Sequence, residues 1–137
     1  MTSFDEIINL YKLFPKYKNN TYEELYYHIL PSINFNQYKI FKEDNIVFAF
    51  VNWAYLSESV EQTYKLDAKL FKTEWKSGNT LWLHDIIIYK NSKQVMNWVI
   101  NHFKQQLNID ESINWLRIDE KDKVYRISKK FKRRFHS

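Results

Sequence analysis

Two apolar runs constrain this chain more than any other feature. Residues 46–53 read IVFAFVNW and residues 81–89 read LWLHDIIIY, nearly unbroken in β-branched, aromatic and aliphatic side chains. Both fall far short of the roughly 20 apolar residues of a membrane span. Their length and their β-branched content select strands over buried helices. A strand that is apolar on both faces belongs inside a sheet covered on both sides, so residues 81–89 are predicted to be its central strand.

The rest of the chain supplies that cover. Residues 3–14 predict a helix, with Ser3 and Glu6 as a capping box and an apolar face of Phe4, Ile7, Ile8 and Tyr11. Residues 15–20 form a loop. Thr21 and Glu24 repeat the capping box and start a helix that Pro31 is expected to stop near residue 29. Residues 38–42 form a strand joined to 46–53 through Glu43-Asp44-Asn45, a polar turn in a chain with one glycine and two prolines. Helices are predicted over 57–70 and 92–107, the second with a stripe of Val95, Val99, Ile100, Phe103 and Leu107. Residues 113–118 read as the last strand. The order implies a single α+β domain with a mixed, mainly antiparallel sheet flanked by helices, over residues 1–125, followed by a basic tail over 126–137.

Composition removes several function classes. No cysteine is present, which excludes a disulfide framework, a thiolate zinc site and a cysteine nucleophile. The first residues, MTSFDEIINLYK, carry acids where a secretory signal carries bases, so a cytoplasmic protein is expected. The net charge of +5 is uneven: lysine and arginine crowd the segment from Lys121 onward against the single acid Asp122. The run Lys129-Lys130-Phe131-Lys132-Arg133-Arg134-Phe135 reads first as a solvated terminal segment. It also suits an acidic protein partner, and nucleic acid less well.

A series of short motifs runs in order along the chain. Leu30-Pro31 and Asn36-Gln37-Tyr38 come first, then Val51-Asn52-Trp53-Ala54-Tyr55-Leu56-Ser57. Trp75-Lys76-Ser77-Gly78-Asn79, Trp82-Leu83-His84-Asp85 and Leu116-Arg117-Ile118-Asp119 follow. The ordered set resembles the RTX toxin-activating lysine acyltransferases, over roughly residues 10 to 125. That resemblance implies a fold similar to the GCN5-related N-acetyltransferases, and a homodimer. It implies transfer of a fatty acyl chain from acyl carrier protein to a lysine ε-amine of an RTX-type protoxin, with no permanently bound cofactor. By position it makes Asp85 the catalytic aspartate. It places Tyr17, in Phe14-Pro15-Lys16-Tyr17, where the family has the histidine of an S-P-x-H sequence. A homologue without catalysis, binding carrier protein or toxin as an adaptor, is the alternative.

The residues themselves allow this chemistry. A lysine amine with pKa about 10.4 needs a proton acceptor to attack at neutral pH. The thioester oxygen needs hydrogen-bond donors as it becomes an oxyanion. Asp85, expected on one strand face with Leu83 and Ile87, is the candidate base, its pKa expected to rise on burial; otherwise it is a buried carboxylate capping loop amides. Tyr17 suits an oxyanion donor or leaving-group acid, or simple packing. His28 is a weaker candidate, expected at a helix C-terminus beside the dipole. His84 should point to the opposite face from Asp85 in a regular strand. His102 reads as structural and His136 lies in the tail. Asn91 and Ser92 open a helix whose N-terminus could face the phosphate of a pantetheine-bearing donor. Residues 86–92, IIIYKNS, lack the glycine-rich loop that cradles coenzyme A, which favours acyl carrier protein as donor. No histidine pair has i, i+4 spacing with a third acid, so sequence spacing supports no metal site.

Overall fold

The computed structural model describes residues 4–119 and 123–135. Ser3 and His136 lie outside them. Five strands form one mixed sheet in the order β1-β2-β3-β4-β5: β1 is Tyr38–Glu43, β2 Ile46–Leu56, β3 Thr80–Ile88, β4 Ser112–Ile118 and β5 Val124–Phe131. Neighbours pair antiparallel except β3 and β4, which are parallel. The predicted central strand is therefore the middle one. The α+β class and mainly antiparallel sheet agree with the sequence, and the architecture is compatible with an acetyltransferase-like fold.

Helices α1 (Phe4–Tyr11), α2 (Tyr22–Asn34) and α3 (Glu58–Asp67) cover one face and α4 (Ser92–Phe103) the other. On the α4 face, Val95, Val99 and Phe103 bury against Val51, Trp53, Leu81 and Leu83. On the opposite face, Ile7, Ile8, Leu25 and Ile29 pack on Val47, Phe50 and Ile87. Tyr64 of α3 packs on Ala54, Leu56 and Trp82. Burial on both faces accounts for the unbroken apolar runs.

Local signals set the element ends. Thr21 and Glu24 form the expected capping box. Ser57 Oγ accepts the Val60 N–H at the start of α3. Asp44 and Asn45 both take positive φ, the two-residue turn that matches hairpin twist. Gly78 has a different reason: a Cβ there would lie 2.5 Å from the Leu56 carbonyl oxygen. The loop after Trp75 thus sits directly on the end of β2, and Gln37 Nε2 ties both by donating to the Trp53 and Trp75 carbonyls.

Several boundaries differ from expectation. Pro31 does not stop α2, which continues to Asn34; proline removes one bond, to the carbonyl four residues back, and the next turn closes with Phe35 N–H donating to Pro31 O. Helix α1 ends at Tyr11, short of the residues that Pro15 forces out of helical geometry. Helices α3 and α4 are likewise shorter than predicted. Residues 113–118 are not the last strand: β5 pairs along β4 from Ser112↔Phe131 to Ile118↔Val124. The expected division at residue 125 falls inside that strand. Its sequence, VYRISKKF, forms the sheet edge with Arg126 and Lys129 exposed and Lys130 half-buried. No helix among the described residues is long and apolar enough to cross a membrane.

Candidate functional site

The site arises from two irregularities in β3. The first is a bulge. Asn52 pairs with Asp85 and Trp53 with Leu83, so His84 is an extra residue in the ladder. The alternation is re-phased there: Leu81, Leu83, Ile86 and Ile88 face α4, whereas Trp82, Asp85 and Ile87 face the other helices. Two expectations are corrected by this. Asp85 shares its face with Ile87 and not with Leu83. His84 does not point away from Asp85; both look toward α2.

The second irregularity is divergence. Strands β3 and β4 pair only at Trp82↔Asn114 and Leu83↔Trp115. Beyond that point a cleft of about 550 Å³ opens, walled by the loop of residues 14–20, α2 and the end of α3, with Asp85, Trp115 and Ile118 among its lining residues.

Asp85 is buried and holds four contacts. Its Oδ2 accepts from the Tyr11 hydroxyl at 2.7 Å and lies 2.8 Å from His28 Nε2. Its Oδ1 accepts a longer bond of 3.4 Å from the Tyr17 hydroxyl. Its backbone N–H, at the bulge, donates to Asn52 Oδ1 at 2.8 Å. Asn52 Nδ2 in turn donates to Ser32 Oγ, which donates to the Ile29 carbonyl. This relay fixes the bulge to α2, the helix that carries His28.

Electrostatics correct a further expectation. Burial does push the Asp85 pKa up, but the neighbouring His28 and His84 imidazoles and the hydrogen bonds from His28 and Tyr11 outweigh it. The carboxyl is held well below the usual range and is ionised at neutral pH. Burial pushes His84 down to about 4, with Asp85 partly opposing, so that imidazole is neutral at pH 7. Tyr11, buried beside an anion, is raised well above an ordinary phenol and stays a donor. Because an ionised carboxylate only accepts, His28 Nε2 carries the proton between them, which makes Nδ1 its basic nitrogen.

The structure therefore brings Asp85, Tyr17 and His28 together. His28 sits within α2, not at its C-terminus, because the helix runs past Pro31; its side chain is 34% exposed. Asn91 and Ser92 are elsewhere. Asn91 takes positive φ at the start of α4, makes no side-chain cap and lies 3.5 Å from Glu43 Oε2, and neither residue lines the cleft. Sequence reasoning missed Tyr11, Asn52 and Ser32 as parts of the site. The one available signal was Asn52, a lone amide inside an apolar run. His84 was also misplaced; its Nδ1 lies 3.0 Å from the Tyr64 hydroxyl, and the Trp75 ring meets it edge-on at 4.8 Å. The ligating atoms of His28, His84 and Asp85 all lie within 4.8 Å of one another, a convergence that spacing along the chain does not reveal.

Several known proteins are similar. RTX-I toxin-activating lysine-acyltransferase ApxIC of Actinobacillus pleuropneumoniae is 31% identical over 73% of this chain and 56% of its own. Protein-lysine myristoyltransferase HlyC of Escherichia coli is 30% identical over 73% and 57%. Leukotoxin-activating lysine-acyltransferase LtxC of Aggregatibacter actinomycetemcomitans is 29% identical over 58% and 53%. The matches thus span little more than half the length of these relatives. The model of the RTX toxin acyltransferase family matches residues 1–131, nearly the whole chain, and the chain belongs to that family.

Proposed function

We propose that the chain is a protein-lysine acyltransferase that moves a fatty acyl group from acyl carrier protein to a lysine ε-amine of an RTX-type protoxin. One observation carries the reading: Asp85 held 2.8 Å from His28 Nε2 on the wall of an open cleft. Names of the relatives support the reaction class. The missing glycine-rich loop in residues 86–92 supports a carrier protein as donor; a cytoplasmic homodimer is what the family resemblance suggests.

His28, not Tyr17, then supplies the imidazole. The neutral amine attacks the thioester carbonyl carbon. As the N–C bond forms, His28 Nδ1 takes the amine proton, and Asp85 stabilises the imidazolium through Nε2. The C–S bond breaks and the thiolate leaves, receiving that proton from His28. Tyr17 turns its long bond from Asp85 to the developing oxyanion, with backbone amides assisting. No covalent enzyme intermediate is needed.

The test is a mass measurement. The purified chain is incubated with a protoxin segment and with acyl carrier protein or coenzyme A carrying the same acyl group. The reading expects an acyl mass increment on a lysine, faster from the carrier protein. Carrier-protein binding with no increment from either donor would overturn it in favour of an adaptor.

A further inference from the structure

We infer that His28, His84 and Asp85 form a binding site for a divalent first-row transition ion of the zinc type, and that its occupancy shuts the cleft to acyl transfer. The binding claim stands apart from the proposed reaction. The inhibition claim rests on it.

The donor set is two imidazoles and one carboxylate, which suits zinc or cobalt better than magnesium or calcium. Around a tetrahedral zinc with bonds of about 2.0–2.2 Å, ligand atoms stand roughly 3.4 Å apart. Here the ligating atoms lie within 4.8 Å, with the closest named pair at 2.8 Å. To hold the ion, His28 Nε2 must move off Asp85 by about 0.6 Å and pairs as far as 4.8 Å apart must close toward 3.4 Å, a rearrangement of up to about 1.4 Å that the partly exposed His28 ring can lead. The bulge is what makes the set available, because a regular strand would send His84 and Asp85 to opposite faces.

The ligands are also held in orientation from behind, as ligands of metal sites are. Tyr64 engages His84 Nδ1, which leaves Nε2 as the ligating atom. Tyr11 braces the Asp85 carboxylate. The cleft side stays open for water as a fourth ligand. Lysines 16 and 69 on the lining oppose a cation, but Glu24, Asp67 and Asp85 outnumber them. His84 has no task in the acyl transfer, so the cluster is not explained by that reaction. Once His28 gives its Nε2 lone pair to the metal, its proton sits on Nδ1 and it cannot accept one from an amine.

The experiment uses the untagged full chain, stripped with chelator and titrated with Co²⁺. One ion per chain should bind, with the visible bands of tetrahedral cobalt, and Zn²⁺ should displace it. His84→Gln should weaken binding roughly 100-fold, and Tyr64→Phe roughly tenfold. His102→Gln should change nothing, since that ring stacks on Trp98 away from the cleft. Tyr64→Phe serves if His84→Gln fails to fold. No tetrahedral band, or equal affinity in both variants, overturns the site. In the acylation assay, Zn²⁺ should lower the rate in proportion to occupancy and chelator should restore it. Binding without loss of rate would overturn the inhibition. An absence of acylation altogether would count against the proposed reaction and leave the titration to decide the site.

Discussion

Asp85 and His84 are neighbours in sequence, one ionised and the other neutral at pH 7. The half-buried His84 imidazole is pushed down to about 4, from about 6.5 when free. Between those values the unfolded chain binds a proton there that the folded chain does not, so stability falls as pH drops through that window. The ceiling is roughly 3 kcal/mol, and the true contribution is smaller because part of the ring meets the open cleft. Asp85 acts in a lower window: its depressed pKa gives stability that is present above about 4 and lost below it. Denaturant titrations from pH 7 to 4 should therefore show a flatter profile for His84→Gln, and parallel profiles would contradict the assignment. At the same scale, Tyr17→Phe should slow acyl transfer moderately. Tyr17→His should raise it if the loop still holds the geometry the family uses, and a fall below Tyr17→Phe would show that it does not. Asp85 and Tyr17 were legible through motif position. The direction of the Asp85 shift was not, because a single sequence does not show which donors surround a buried carboxylate.

The bulge is the element on which the site depends. Without it, alternation would bury Asp85 against α4, opposite His28. Asn52 holds it by accepting the Asp85 N–H that the irregular ladder leaves over. Asn52→Ala would strand that buried donor and leave Ser32 Oγ without the amide it accepts from, at a cost of about 2–3 kcal/mol. Acylation should fall with it. A melting curve unchanged by the substitution would mean that the bulge does not need the relay. The strand itself was readable from its apolar run. The bulge was not, since no glycine or other local mark announces it and it follows from pairing with β2. Pro31 misled for a similar reason: packing of Leu25 and Ile29 on the sheet outweighs one lost hydrogen bond. Strand β5 was hidden by its charge, which the edge position tolerates. The sequence predicts that residues 126–137 can be removed without unfolding the core. Pairing of six of them with β4 predicts instead a loss of cooperative melting on deletion, and an unaltered transition would restore the view of a loose tail.

For the whole molecule, the sheet, its two-sided cover and the family were all legible, because ordered apolar runs and ordered motifs survive at about 30% identity. What pairs across the cleft was not, because His28, Asp85 and Tyr11 come from three separate elements. The central claim is that the pair His28–Asp85 performs acyl transfer in the cleft where β3 and β4 part. His28→Gln tests it most directly, since the ring is partly exposed and its loss should leave the fold intact. The measurement is the single-turnover rate of lysine acylation from acyl carrier protein, read by mass, with melting as a control. The account predicts a fall of about 10²–10⁴-fold in a protein that still melts cooperatively. A rate equal to that of the unsubstituted chain would contradict it.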